Sequence, residues 1–339
     1  MDDRPAAAAS PAVPHAPASR MIRRWAAENA QVGAVAVILI GASAIYSVLT
    51  PFFLTAQNIG NIALQSAPTL IVATVMTLVM ATAGIDLSVG SLIAFVSAYS
   101  ALMLQGGYPD SLVIVAMLGA GLFFGALQGW FVAYQALPPF IVTLAGLIAI
   151  RGLALFATEG HSFFITTGHP FLWFGQGHIL TIPTGTLLSL AVALVGIFVL
   201  DRTTLGRHAV GIGSNQEAVR RAGVDVRRLK VAIYALSGIA AAVASFITTA
   251  RLGSGSANVA VGFELSVIAA VVLGGTSLFG GRATMVGTIF GTYAIAVIEN
   301  GLILLHVSPF LTGFVEGMII ILAIWTSENV VRRLRVIER

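Results

Sequence analysis

The side chains in this sequence best suited to chemistry lie where lipid would not tolerate them. Asp86 is the only charged residue between Ile59 and Met103, in the run Gly84-Ile85-Asp86-Leu87-Ser88-Val89-Gly90-Ser91. A carboxylate near the middle of a membrane span costs roughly 2.5–3.5 kcal/mol on insertion scales, so an ionisable group there marks a functional site by default. Two roles fit. Asp86, Ser88 and Ser91 could form a polar stretch of a translocation pathway. Alternatively, Asp86 could cap a helix by accepting hydrogen bonds from the backbone N–H groups of Ser88 and Val89. The two are compatible, because a broken helix leaves end groups that need partners.

A second unusual stretch is Gly274-Gly275-Thr276-Ser277-Leu278-Phe279-Gly280-Gly281-Arg282. Its glycines permit positive φ and close approach of helices. It reads either as small-residue packing or as a gate that brings Thr276, Ser277 and Phe279 to a pathway. The third is Gly213-Ser214-Asn215-Gln216-Glu217-Ala218-Val219-Arg220-Arg221-Ala222-Gly223-Val224. Here Ser214 or Asn215 can cap a helix of about two turns, with Glu217 in its first turn and Gly223 at its end. It is far too polar to span. It is either a solvated helix held near lipid by its arginines or a peg for a cytoplasmic motor subunit.

Other charges within apolar runs read as structural. Arg151 can snorkel to the outer end of its span, Glu264 is a first-turn acid, and Glu299 and Glu316 can pair inside a bundle. The six histidines are scattered, and neither a HExxH zinc motif nor a Gly-x-Ser-x-Gly elbow occurs. With no cysteine, thiolate metal sites are excluded. No catalytic, metal or cofactor site is expected. Lys230 is the only lysine and follows no glycine-rich turn, so there is no phosphate-cradling loop. Any ATP used is bound by another polypeptide.

The elements that must position these stretches follow from composition. Of 339 residues, 57% are apolar and only 9% charged, against about a quarter charged in soluble domains; mean hydropathy is +0.94. The fold class is an all-α polytopic membrane protein. Apolar runs at about 31–50, 59–80, 88–105, 111–133, 140–158, 185–200, 231–250, 263–279, 284–305 and 310–326 predict about ten transmembrane helices of roughly 20 residues, some broken or re-entrant. An even number puts both termini on one side. Arg20, Arg23, Arg24, Arg202, Arg207, Arg220, Arg221, Arg227, Arg228, Lys230, Arg282 and the arginines from Arg332 onward all fall on one face of this count, and only Arg251 on the other. The positive-inside rule makes the loaded face cytoplasmic. The net charge of +4 therefore speaks of orientation, not of nucleic acid. Residues 1–30 read as a disordered cytoplasmic tail, 31–327 as the transmembrane domain with a cytoplasmic loop at 201–230, and 328–339 as a basic cytoplasmic tail. The outer loop 159–185, rich in aromatics, reads as an interfacial belt or a docking surface. The breaks at Gly84–Gly90 and Gly274–Gly281 form a faint internal echo of the kind found at transporter midplanes.

These three motifs, in this order, resemble those of the permease subunits of bacterial ABC importers for simple sugars, the ribose-type family. Asn300-Gly301-Leu302 and Val307-Ser308-Pro309-Phe310 fit as well, and the resemblance runs from about residue 35 to 327. The tail before Arg20 is longer than in that family, and Ala283 stands where glycine is expected. The resemblance implies a multi-pass bacterial inner-membrane protein. Two permease chains, identical or paralogous, would form the pathway in the lipid bilayer, with separate cytoplasmic ATPase subunits and a periplasmic sugar-binding protein. It places Gly213, Asn215, Glu217, Ala218, Arg220, Arg221 and Gly223 on the ATPase-coupling segment, and Asp86, Ser88, Ser91, Thr276, Ser277 and Phe279 near the pathway. The expected cargo is a ribose- or xylose-like monosaccharide. The alternatives are nucleoside or branched-chain amino acid cargo, an ion-driven secondary carrier, and a non-transporting anchor.

Overall fold

The computed structural model describes residues 18–308 and positions 311, 313, 314, 317, 318 and 321, with side-chain surroundings from residue 31 onward. The chain begins with α1 (Ala18–Leu49), α2 (Ala56–Ala81), α3 (Val89–Gln105), α4 (Asp110–Ala133) and α5 (Pro139–Thr158). On the far side of α5 come β1 (Ser162–Phe164), the short α6 (Trp173–Gln176), β2 (His178–Ile179) and β3 (Ile182–Pro183). There follow α7 (Thr184–Arg202), α8 (Thr204–Arg221), α9 (Val226–Leu252), β4 (Ser254–Ser256), α10 (Phe263–Leu273) and α11 (Met285–Leu304).

Local chemistry sets the helix ends. Thr55 Oγ1 accepts from Asn58 N at the start of α2, Asp225 caps α9 by accepting from Arg228 N, and Thr284 caps α11 by accepting from Gly287 N. Pro139 starts α5, where its missing N–H costs nothing. Gly253, at φ 65°, ends α9 in the left-handed conformation.

α2 is the central element, buried along most of its length and packed on α7, α9, α10 and α11. α4 and α9 meet most closely, at glycines. A Cβ on Gly238 would lie 2.0 Å from the Gly121 carbonyl oxygen, and one on Gly125 2.3 Å from that of Tyr234. Lipid gives helices no hydrophobic drive to associate, so such backbone-to-backbone packing supplies the dispersion contact. The two small sheets pair antiparallel: β1 with β4, Ser162 opposite Ser256, and β2 with β3.

Seven described helices are long and apolar enough to cross a membrane, and two apolar helices are shorter. The all-α polytopic class therefore holds. The count of about ten does not emerge from the described residues: the expected tenth span, 310–326, the tail 328–339 and Glu316 lie outside them or at isolated positions. The eighth run, 263–279, becomes an 11-residue helix, about 16 Å long against a hydrocarbon core of about 30 Å. It stops because Gly275 adopts φ 97°. At the other end, α1 starts at Ala18, so residues 18–30 of the expected tail are helical. Alanine, arginine and glutamate in that stretch favour helix; residues 1–17 lie outside the described part.

The outer loop departs from a simple aromatic belt. Phe171 is buried and packs edge-on against Phe174 and Phe246 of α9, while Phe164 and Trp173 stay exposed.

Candidate functional site

Between α2 and α3 the chain turns at Thr82–Ala83, with Ala83 exposed at φ 60°, and then runs without helix through residues 84–88, which are largely buried. Asp86 is 1% exposed. Its Oδ1 accepts from Ser88 N at 2.9 Å and Ser88 Oγ at 2.7 Å, and its Oδ2 accepts from Ser237 Oγ of α9 at 2.6 Å. All three partners donate, which suits a carboxylate that can only accept. The bond to Ser88 N is half of the expected cap; the other oxygen turns to Ser237, and Ser88 itself stands at the N-cap of α3. Ser88 Oγ also accepts from Gln128 Nε2 of α4 at 2.9 Å, and Ser91 Oγ donates to the Ser88 carbonyl. Thr143 of α5 and Tyr234 of α9 donate to the carbonyl of Ile85. Four helices thus hold the break in one shape. Asp86, Ser88 and Ser91 are all enclosed within this single chain.

The glycine-rich loop after α10 is a knot of local hydrogen bonds. Thr276, buried, accepts from Thr284 N through Oγ1, Ser277 N donates to Arg282 O, and Ser277 Oγ accepts from Phe279 N. These bonds leave Phe279 projecting, 86% exposed. Gly280 and Gly281 hold φ of 79° and 75°, which a side chain resists. Arg282 donates to Gln31 of α1.

α8 contains the third motif. Its helical dihedrals fail at Asn215 (φ −159°, ψ 94°), and a new helical stretch starts there, with Asn215 Oδ1 accepting from Ala218 N at 3.0 Å. Glu217 pairs with Arg220 at 2.9 Å and Arg221 at 3.0 Å. Gly223, at φ 86°, follows the helix end, its N–H donating to Arg220 O. The expected cap, first-turn acid and glycine end all occur, but as the second half of an 18-residue helix. The segment is exposed. Hydrogen bonds from Arg220 first, and then Arg221, hold the Glu217 carboxyl below the usual range.

The tertiary structure brings the three motifs together at one point. Gly281 N donates to the Ala81 carbonyl at the end of α2, and Ser214 Oγ donates to Gly281 O at 3.4 Å. A Cβ on Gly213 would lie 2.0 Å from Ala81 O and 2.3 Å from Gly281 N. The middle of α8 therefore touches the end of α2 and the glycine loop through the Gly213 backbone and the Ser214 hydroxyl, five residues from Asp86.

Several contributors were invisible in the sequence. Arg151 does not snorkel. Its Nη1 donates to Ala257 O and Val259 O, both at 2.7 Å, and its Nη2 to Ala260 O at 3.2 Å. It satisfies the carbonyls of the irregular chain before α10, which hydrocarbon would leave orphaned. Gly90 lies under that chain: a Cβ there would meet Glu264 Oε2 at 2.2 Å and Ala260 O at 2.7 Å. Glu264 does stand in the first turn of α10. Gln128 and Ser237 sit within apolar helices with no spacing to betray them. Asn58 and Asn300 exchange a reciprocal pair of 2.9 Å amide bonds between α2 and α11.

Residues 58–324 match the family described as branched-chain amino acid transport system / permease component. The chain is 37% identical over 305 residues to the ribose import permease protein RbsC of Escherichia coli strain K12, covering 89% of this chain and 94% of the relative. It is 36% identical over 294 residues to the probable ABC transporter permease protein YphD of the same strain, covering 87% and 88%. It is 33% identical over 342 residues to that strain's xylose transport system permease protein XylH, covering 83% and 87%. No solved structure matches. A polytopic helical chain with a buried polar break, a glycine loop and an exposed polar helix, matched over most of its length, belongs to the family of the branched-chain amino acid transport system permease component.

Proposed function

We propose that this chain is the membrane-spanning subunit of an ATP-driven importer for a monosaccharide of the ribose or xylose kind. A binding protein on the periplasmic side delivers the sugar, and separate cytoplasmic ATPase subunits drive transport. The observation that carries the reading is the glycine junction, where Gly213 of the exposed helix abuts Ala81 and Gly281. An ATPase that moves residues 215–223 moves the end of α2 and the 274–281 loop with them, because at Gly213 backbone meets backbone with no side chain between to absorb the displacement. The names of the sugar-transporting relatives favour a pentose-like cargo; the family's description keeps branched-chain amino acids as the second reading.

In this mechanism Gly213, Asn215, Glu217, Ala218, Arg220, Arg221 and Gly223 form the coupling surface. Phe279, with Thr276 and Ser277 behind it, faces the pathway shared with a second permease chain. Asp86, Ser88 and Ser91, enclosed here, hold the α2–α3 break in shape as the pathway opens and closes. Both termini and the basic loop lie on the cytoplasmic side of a bacterial inner membrane, with the tenth span and the second chain completing the bundle.

The test is co-purification of the tagged chain from native membranes in mild detergent, beside a Glu217→Arg, Gly223→Trp variant that still inserts. A P-loop ATPase retained by the wild type and lost by the variant is the expected outcome. Its absence from both sinks the importer reading. Competition for uptake by ribose, xylose and leucine in the reconstituted complex then decides the cargo.

A further inference from the structure

Beside the coupling segment the chain folds around a pocket of about 560 Å3. Its walls are the turn between α4 and α5, the second half of α8 and the first turn of α9. The only lysine of the chain, Lys230, is half-buried in this wall and donates to the neutral Gln216 Oε1 at 2.7 Å. Arg227 lies over the Tyr134 ring, its guanidinium carbon 5.6 Å from the centroid.

The pocket's two acids are already committed: Glu217 to Arg220 and Arg221, and Asp225 to Arg228 at 2.9 Å. Neither Arg227 nor Lys230 has a carboxylate partner among the described residues. Two cations, neither paired with a carboxylate among the described residues, therefore line a cavity roomy enough for a phosphate ester.

The surroundings say which anion. One wall of the pocket is formed by the end of α4 and the start of α5, and there Trp130, Phe131, Tyr134, Leu137 and Phe140 are exposed. Tryptophan and tyrosine at the end of an apolar helix mark the boundary between hydrocarbon and headgroups. Basic pockets at that depth suit anionic lipid headgroups. A soluble anion would use the cations but not the apolar wall; a phospholipid uses both.

We propose that this pocket binds the phosphodiester headgroup of an anionic phospholipid, with Arg227 and Lys230 as its cationic contacts and the acyl chains against α4 and α5. Because Lys230 also holds Gln216, in the coupling segment, the bound lipid braces that helix at the membrane surface. This does not rest on the transport reading and involves two residues outside the coupling surface.

The test uses the purified chain in neutral detergent and reads its thermal unfolding midpoint with added dioleoylphosphatidylglycerol, dioleoylphosphatidylcholine or inorganic phosphate. Retained lipid is counted in parallel by native mass spectrometry. Phosphatidylglycerol is expected to raise the midpoint more than phosphatidylcholine. The Arg227→Gln, Lys230→Gln pair should lose that difference and retain at least tenfold less phosphatidylglycerol, while the Arg227→Lys, Lys230→Arg pair keeps both. Equal shifts from the two lipids in the wild type, or a full preference in the glutamine pair, overturn the proposal. So does inorganic phosphate reproducing the shift, since the ligand would then be a small soluble anion. Should the glutamine pair fail to fold, Arg227→Gln alone decides: an undiminished preference overturns the assignment.

Discussion

Asp86 shows how a costly residue is made tolerable inside an apolar bundle. Ser88 and Ser237 supply its three donors, so its stability depends on α9 as much as on its own turn. Ser237→Ala removes the one partner of Oδ2 among the described residues and is expected to destabilise the fold by about 1–3 kcal/mol, the cost of leaving a buried polar group unpaired. Thermal unfolding in detergent reads this. Glycines offer a sharper comparison. Gly213→Ala drives a methyl group into Ala81 O and Gly281 N and should abolish uptake while the protein still reaches the membrane. Gly33 has nothing within 4 Å, so Gly33→Ala should leave uptake unchanged and favour α1 by up to about 1 kcal/mol. A null effect of Gly213→Ala would remove the junction from the coupling route.

Among the elements, the irregular chain between β4 and α10 depends most on a single side chain. Arg151 serves three of its carbonyls, and lysine could not span them with one ammonium. The native chain has no cysteine, so a single cysteine at Ala260 is a clean probe. Its alkylation rate should rise severalfold when Arg151→Gln is added; an unchanged rate would mean that the segment holds itself. The second half of α8 makes a pH prediction. The Glu217 carboxyl is held below its ordinary range by Arg220 and Arg221, so the ion pairs are present above the usual glutamate pKa and persist somewhat below it. They are lost only as pH falls through the lowered value. A spin label at Ala222 should keep its mobility between pH 7 and pH 5 and loosen in stronger acid. Loosening at the ordinary glutamate pKa would contradict the pairing. The residues are exposed, so added salt should weaken the same contacts.

On the scale of the whole molecule, the sequence by itself determined the class and the punctuation. An apolar content of 57% with 9% charge leaves only a membrane bundle, because hydrocarbon demands that every backbone group be satisfied within helices. Glycine and serine at 84–91, glycine at 274–281 and the cap-acid-glycine pattern at 215–223 are local signals, and the helix breaks fall where they point. Span number is less legible, since hydropathy sees apolar runs but not where backbone turns inside them: the run at 263–279 carries an 11-residue helix and a knotted loop. Convergence was not legible at all. That Gly213 meets Ala81 and Gly281, that Asp86 reaches Ser237, and that Arg151 turns inward to Ala257–Ala260 are contacts between positions about 70 to 150 residues apart. No periodicity encodes which glycine faces which carbonyl. That is decided by how closely neighbouring helices pack, and only the tertiary structure fixes it.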